Sequence, residues 1–358
     1  MPTATNPPST PSHWSGGIDQ YLADNNITCT LATPIEAGTS CYLWRLDGFS
    51  HPDHSPAEPA VLKCADSTPK FSNDAVSPAR LSIEVRALTC QAVAEAERAE
   101  PSVRVPRVLQ TTENGFVMSW AGDVNLLDAF RSNPVLDVAD IGARIGKWLG
   151  CLQVAGVASG ASGFEPVNPE LGRFYSPGGS MDKLVQSVVT DGAESVKILS
   201  ALRGTQTVRT LTAWDFRPMN TLLRFPDGCS SNSSNKAQDV YIVDWELAQY
   251  GEAAGDVGTW CVEAMVLEDK YGDRGLLRSF LKAYRRHATG IVDDVFVGKL
   301  AMVVGVMLVY FMRIAPRLWG STDKEVSRWR ETAVRFLRAG AEGDREWLGT
   351  SLIRFVME

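Results

Sequence analysis

The sequence predicts an α+β chain in two lobes, a small β-rich one followed by a larger, mainly helical one. Three observations carry this. Between about residues 26 and 117, short β-rich runs surround a single stretch of helical periodicity. Beyond residue 120 the apolar spacing becomes predominantly that of helices. The change falls at the end of one short β-rich run, "GFVMSW", which closes on Trp120. The expected organisation is a disordered lead-in over 1–17, an N-lobe over 18–120 and a C-lobe over 121–358.

Each element has its own signal. The opening "MPTATNPPSTPSHWSGG" is rich in Pro, Ser and Thr and lacks a basic stretch leading into an apolar core. It therefore reads as disordered and not as a signal peptide. "CYLWRL" (41–46) and "PAVLKCA" (59–65) read as strands on either side of a His/Pro/Asp loop. "PARLSIEVRALTCQAVAEAERA" (78–99) places Leu81, Val85, Leu88 and Ala92 on one stripe and reads as one helix. Helices are expected over 138–155 and 181–189, with three or more after Asp256. "VASGASGFEPVNPELGRFYSPGGS" reads as a long loop, and "PDGCSSNSSNKAQD" (226–239) as a polar turn between two strands. The apolar run "LAMVVGVMLVYFM" (300–312) is too short to span a bilayer and reads as a buried core helix.

Composition narrows the function classes. With 35 Lys and Arg against 42 Asp and Glu the net charge is −7, which gives no electrostatic footprint for nucleic acid or an anionic membrane. Seven dispersed cysteines with no C-x-x-C pair argue for reduced thiols in a cytoplasmic protein. The four histidines lack metal-ligand spacing. A monomer or weak dimer is expected.

The chemistry-bearing stretch is "LTAWDFRPMNTLL" (211–223), an acid followed five residues later by an amide and then by a short apolar run. Read alone it is equally an Asx turn leading into a strand. Its continuation favours more. "TLLRF", the polar turn and "VYIVDWELAQYG" form a strand–turn–strand with Asn220 at one mouth and Asp244 at the other. If the strands pair, these two converge, and an amide oxygen with a carboxylate suits a magnesium ion bridging phosphates. Asp215 would face the same point and could take a hydroxyl proton. D-x-x-x-x-N followed by a metal-binding Asp is the arrangement of protein kinases.

On these residues the chain resembles the aminoglycoside phosphotransferase/choline kinase group of small-molecule kinases, whose signature is H-G-D-x-R-x-x-N followed by I-D-W-E. In motif it is most similar to methylthioribose kinases and fungal hydroxytryptamine kinases. The similarity covers roughly residues 20 to 340. It implies a bilobed protein-kinase-like fold, with ATP and Mg as cofactors and phosphoryl transfer to a hydroxyl of a small-molecule acceptor. It also implies roles. Lys63 would grip the α/β-phosphates, Glu84 would pair with it, and Gly38 would lie in the phosphate loop. Met118 and Trp120 fall in the adenine hinge. Asp215 is the implied base, with Arg217 bracing it or reaching the phosphates, and Asn220, Asp244 and Glu246 are the implied metal ligands. An Asp also follows the D-W-E strand in the group, here Asp256.

The chain departs from the pattern at three places. The histidine and glycine before the base are Ala213 and Trp214, and the phosphate loop offers Ala37-Gly38 where relatives have two glycines. Gln153 replaces a frequent histidine and reads as a helix-surface amide. The acids Glu263, Glu268, Asp269 and Asp273 read as a solvated helix face, Trp245 and Trp260 as core. Ala213 and the thin glycine loop motivate a rival reading, a non-phosphorylating nucleotide-binding protein on the same scaffold. The acceptor is expected to be small and neutral or cationic, and it could be a specialised metabolite.

Overall fold

The computed structural model describes residues 11, 14, 16–36, 41–65, 79–122, 124–160, 164, 169–226 and 235–358. The chain divides into two compact units, one running to Cys90 and including Val105–Ala121, the other comprising Gln91–Arg104 and Gly122–Glu358.

In the first unit, helix α1 (Gly17–Asp24) precedes strands β1 (Leu31–Ile35), β2 (Tyr42–Asp47) and β3 (Ala60–Cys64) and helix α2 (Ala79–Leu88). The expected single helix over 78–99 is in fact two. Thr89 turns its hydroxyl back onto the Val85 carbonyl at 2.8 Å, a bond that competes with helical continuation. The helix resumes as α3 (Gln91–Ala99), which with β4 (Val103–Arg104) packs in the second unit. The chain then returns to the first unit as β5 (Val108–Thr111) and β6 (Gly115–Ser119).

These strands form an antiparallel sheet in the order β1-β2-β3-β6-β5. The alternation in "YLWRLD" is legible in the burial of β2: Tyr42, Trp44 and Leu46 are buried and the residues between them are half-buried. Trp44, Leu46, Leu62 and Val117 share a core with Phe49 and Leu109. In β3 every residue is buried, Lys63 included.

The second unit opens with β7 (Val124–Asn125), α4 (Leu126–Ser132) and the long α5 (Val138–Ser159). The stretch read as a long loop contains a further helix, α6 (Pro169–Tyr175). Proline at a first helical position is compatible with its missing N–H and fixed φ. Then come α7 (Ser180–Val188), α8 (Gly192–Gly204), β8 (Arg209–Thr212), β9 (Thr221–Arg224), β10 (Asp239–Ile242) and β11 (Gln249–Glu252). Helices α9 (Ala254–Tyr271), α10 (Leu276–His287), α11 (Asp294–Met312), α12 (Ala315–Trp319), α13 (Asp323–Glu342) and α14 (Arg345–Leu348) complete it.

Two small sheets, β4-β10-β9-β7 and β11-β8, lie among these helices. Helix α5 packs closely on α10 because Gly142, Gly146 and Gly150 recur every four residues along one face. A Cβ at Gly146 would sit 2.2 Å from the Phe280 carbonyl oxygen. Helix α11 is long and apolar enough to cross a membrane by length and composition, yet most of it is buried inside the unit against α9 and α13.

Candidate active site

In the first unit, Lys63 on β3 faces Glu84 on α2, with Nζ 2.6 Å from a carboxylate oxygen. Lys63 is 5% exposed and Glu84 1%, so this is an ion pair removed from water. Burial of both partners makes each dependent on the other's charge. Met118 on β6 is buried opposite Val61, and Trp120 carries the Arg45 guanidinium over its ring at 4.9 Å. Cys64 is packed and fully buried, as its place next to Lys63 on the strand suggests. Gly38 lies outside the described residues.

The cassette of the second unit is built around one apolar anchor. Phe216 is buried between Trp148 and Trp260, with ring centroids at 6.3 and 5.4 Å. The anchor leaves the flanking Asp215 and Arg217 half-buried, on the chain between β8 and β9. Pro218 then opens a single 3₁₀ turn, Pro218–Asn220, which brings Asn220 back to Asp215. The Asn220 amide nitrogen donates to the Asp215 carboxylate at 2.7 Å and to its backbone carbonyl at 3.0 Å. The stretch is therefore a turn, and one that fixes a carboxylate. Pairing of β9 with β10 puts Thr221 opposite Ile242, and the Val243 N–H donates to the Asn220 carbonyl at 3.0 Å. Asn220 and the start of Asp244-Trp245-Glu246 thus converge. Asp244 has φ +67°, a left-handed conformation that Asp tolerates better than most residues. Trp245 is fully buried and donates its indole N–H to the Ile242 carbonyl at 3.1 Å.

Arg217 braces the acid. Its Nε lies 3.0 Å from Asp215 Oδ1 and its Nη1 3.9 Å from Glu263 Oε1, while its guanidinium covers the Phe311 ring at 5.6 Å. Burial works against the Arg217 charge, but Asp215, Glu263 and Asp244 outweigh it and hold the guanidinium charged. The Asp215 carboxyl is pushed above the usual range, chiefly by burial and further by Asp244 and Glu246, against the pull of Arg217 and Asn220. Glu263 is not on a solvated face. It is fully buried, accepts the Met219 N–H at 2.9 Å, and has its carboxyl raised by burial.

Two further residues hold the loop from behind. Asp256, fully buried in the first turn of α9, accepts the N–H groups of Ala213 at 3.0 Å and Trp214 at 2.7 Å. Its carboxyl is pushed up to about 7 by burial, against the two backbone bonds. Gln153, expected on a helix surface, is fully buried instead. It accepts the Tyr284 hydroxyl at 2.5 Å and donates to the Ala253 carbonyl at 3.1 Å, so it ties α5 to α10 and to the chain leading into α9. Glu263 could have been found, since it lies two helical turns after Asp256 and so on the same face. For the burial of Gln153 the sequence offers no signal.

The donor set suits a hard cation. With the Asn220 nitrogen occupied by Asp215, the amide oxygen is the group left for a metal. Asp244 and Glu246 lie near enough to Asp215 to raise its pKa, a collection of acids that a divalent ion would stabilise.

No protein-family model matches the chain. Over 178 residues it is 25% identical to 4-hydroxytryptamine kinase of Psilocybe cubensis, covering 48% of this chain and 44% of that protein. The chain thus matches less than half the length of this curated relative. Among solved structures, a provisionally assigned aminoglycoside phosphotransferase of Ralstonia eutropha superposes with a TM-score of 0.51 at 12% identity, over 92% of this chain and 97% of that one. Choline kinase of Cryptosporidium parvum gives 0.48 at 12% identity, over 97% of both chains. None of these three is a methylthioribose kinase, so that part of the resemblance has no support among them. The chain has the two-lobed, kinase-like α+β fold expected from its sequence, and it is similar to small-molecule kinases of the aminoglycoside phosphotransferase and choline kinase type.

Proposed function

We propose that the protein transfers the γ-phosphoryl group of ATP to a hydroxyl of a small molecule. The observation that carries this reading is the held carboxylate: Asp215 is bonded by Asn220, braced by Arg217, and close to Asp244 and Glu246. Asp215 would orient the acceptor hydroxyl and receive its proton. Held in one orientation by Asn220 and Arg217, that carboxylate is placed to serve as a general base. Arg217 keeps Asp215 in one orientation and offsets part of its charge. Asn220, Asp244 and Glu246 would hold magnesium, which when bound offsets charge on the transferring phosphate. Lys63, fixed by Glu84, would take the phosphates of ATP, and Met118 and Trp120 would border its adenine.

The relative acting on a hydroxytryptamine supports a small hydroxylated acceptor, and a specialised metabolite fits that description. The test is a screen of ATP consumption, with mass spectrometry for the phosphorylated product, across amino alcohols, sugars and hydroxylated aromatics. A phosphorylated acceptor that requires ATP and magnesium is the expected result. Tight ATP binding with no transfer to any acceptor class would overturn it in favour of a non-phosphorylating nucleotide-binding protein.

A further inference from the structure

Helix α9 meets the stretch 213–219 at two points. Asp256, in its first turn, accepts the N–H groups of Ala213 and Trp214. Glu263, seven residues on, accepts the Met219 N–H at 2.9 Å and lies 3.9 Å from Arg217. Seven residues make about two helical turns, so both acids leave the same face of one rigid rod. Asp256 holds the chain just before Asp215, and Glu263 holds it just after.

The bond to Met219 does not require a charge, since a side-chain amide oxygen would accept the same N–H. Glu263 has no exposed surface, and its Oε1 makes no hydrogen bond among the described residues. An ionised carboxylate so placed is costly unless a cation offsets it. The cation at hand is Arg217, whose Nη1 lies 3.9 Å from that same Oε1. Arg217 in turn reaches Asp215 with Nε at 3.0 Å and covers the Phe311 ring. Held by Asp215 alone, the guanidinium could pivot about a single contact. Glu263 at its far end and Phe311 against its face fix its plane, and with it the side from which Asp215 is braced. Sealed from solvent, Glu263 cannot itself touch an acceptor.

We propose that Glu263 is a positioning residue for phosphoryl transfer, acting through Arg217 to keep Asp215 aimed at the acceptor hydroxyl. The inference rests on the phosphoryl-transfer reading above and adds to it a residue that touches no substrate.

The test crosses Glu263→Gln with Arg217→Met in the full chain. Glutamine can still accept the Met219 N–H, so Glu263→Gln removes the charge and keeps the turn. Turnover is read with 4-hydroxytryptamine and with choline as acceptors, and urea unfolding is read on the wild type and all three variants. Glu263→Gln should lower kcat by about 10–100-fold with KM values within about twofold, the loss expected of a misaligned group. In the Arg217→Met background the same substitution should change kcat by less than about twofold. The unfolding constants should depart from additivity by at least about threefold, a readout that needs no acceptor. An unchanged kcat, an equal loss in both backgrounds, or additive unfolding overturns the inference. If that happens while an acceptor is phosphorylated, the transfer reading stands alone. If unfolding is non-additive but no acceptor class is ever phosphorylated, the hold of Glu263 on Arg217 stands and the transfer reading falls.

Discussion

Replacing Asp256 by alanine should have a cost that depends on pH in a way few other substitutions in this chain would. Asp256 has no exposed surface and accepts two backbone N–H groups, from Ala213 at 3.0 Å and Trp214 at 2.7 Å. Without the carboxylate both donors lose their partner in the interior, at about 1–3 kcal/mol each, or about 2–6 kcal/mol together. Burial opposes this. The carboxyl is raised from 3.8 to about 7. A group raised in the folded state contributes stability below its unfolded pKa and loses it as pH rises through the folded one. Over that interval of about three pH units the wild type should lose about 4 kcal/mol that the alanine variant, with nothing to ionise, keeps. The destabilisation by Asp256→Ala should therefore be largest at about pH 4 and shrink steadily towards about pH 8. Urea unfolding of both proteins across this range, with hydrogen exchange at the Ala213 and Trp214 amides, measures it. A stability difference that is constant with pH, or unaltered exchange at those amides, would refute the reasoning.

Glu84→Ala removes the carboxylate 2.6 Å from the buried Lys63 and should destabilise by about 3–5 kcal/mol, seen as a lower Tm that Glu84→Gln partly restores; an unchanged Tm contradicts it. Gln153→Leu strips the acceptor from the buried Tyr284 hydroxyl and should cost about 1–3 kcal/mol. Adding Tyr284→Phe should recover part of that loss, because the stranded hydroxyl goes with it. A double variant no better than the single one counts against the bond.

How much of this was legible in the sequence depends on whether a residue acts through its neighbours in the chain or through distant ones. The pairing that brings Asn220 beside the strand leading to Asp244 follows from two short β-rich runs and the turn between them. The return of Asn220 to Asp215 is a five-residue affair with proline setting the turn. Lys63 and Glu84 were visible as a strand lysine and a helix acid at familiar spacing. The break at Thr89 was less visible, because the apolar stripe of 78–99 continues across it while one side-chain hydroxyl ends the first helix.

Residues that depend on tertiary packing were misread. Gln153 and Glu263 are polar positions on helices, and a polar residue on a helix ordinarily faces water. Their burial is decided by what lies opposite, the Tyr284 hydroxyl in one case and the Met219 N–H with Arg217 in the other. Helix α6 was likewise hidden, because it falls in a stretch whose Gly, Pro and Ser content reads as loop.

The central claim is that Asp215 and Asp244 do different work at one site, and calorimetric titration of Mg·ATP into Asp215→Asn and Asp244→Asn, paired with turnover, tests it most directly. Asp215→Asn should bind Mg·ATP nearly as the wild type does while turnover falls by about 10²–10⁴-fold, the contribution of a positioned base. Asp244→Asn should lose the magnesium-dependent part of ATP affinity together with turnover. Wild-type turnover in both variants would contradict the account and leave 215–220 as a turn and nothing more.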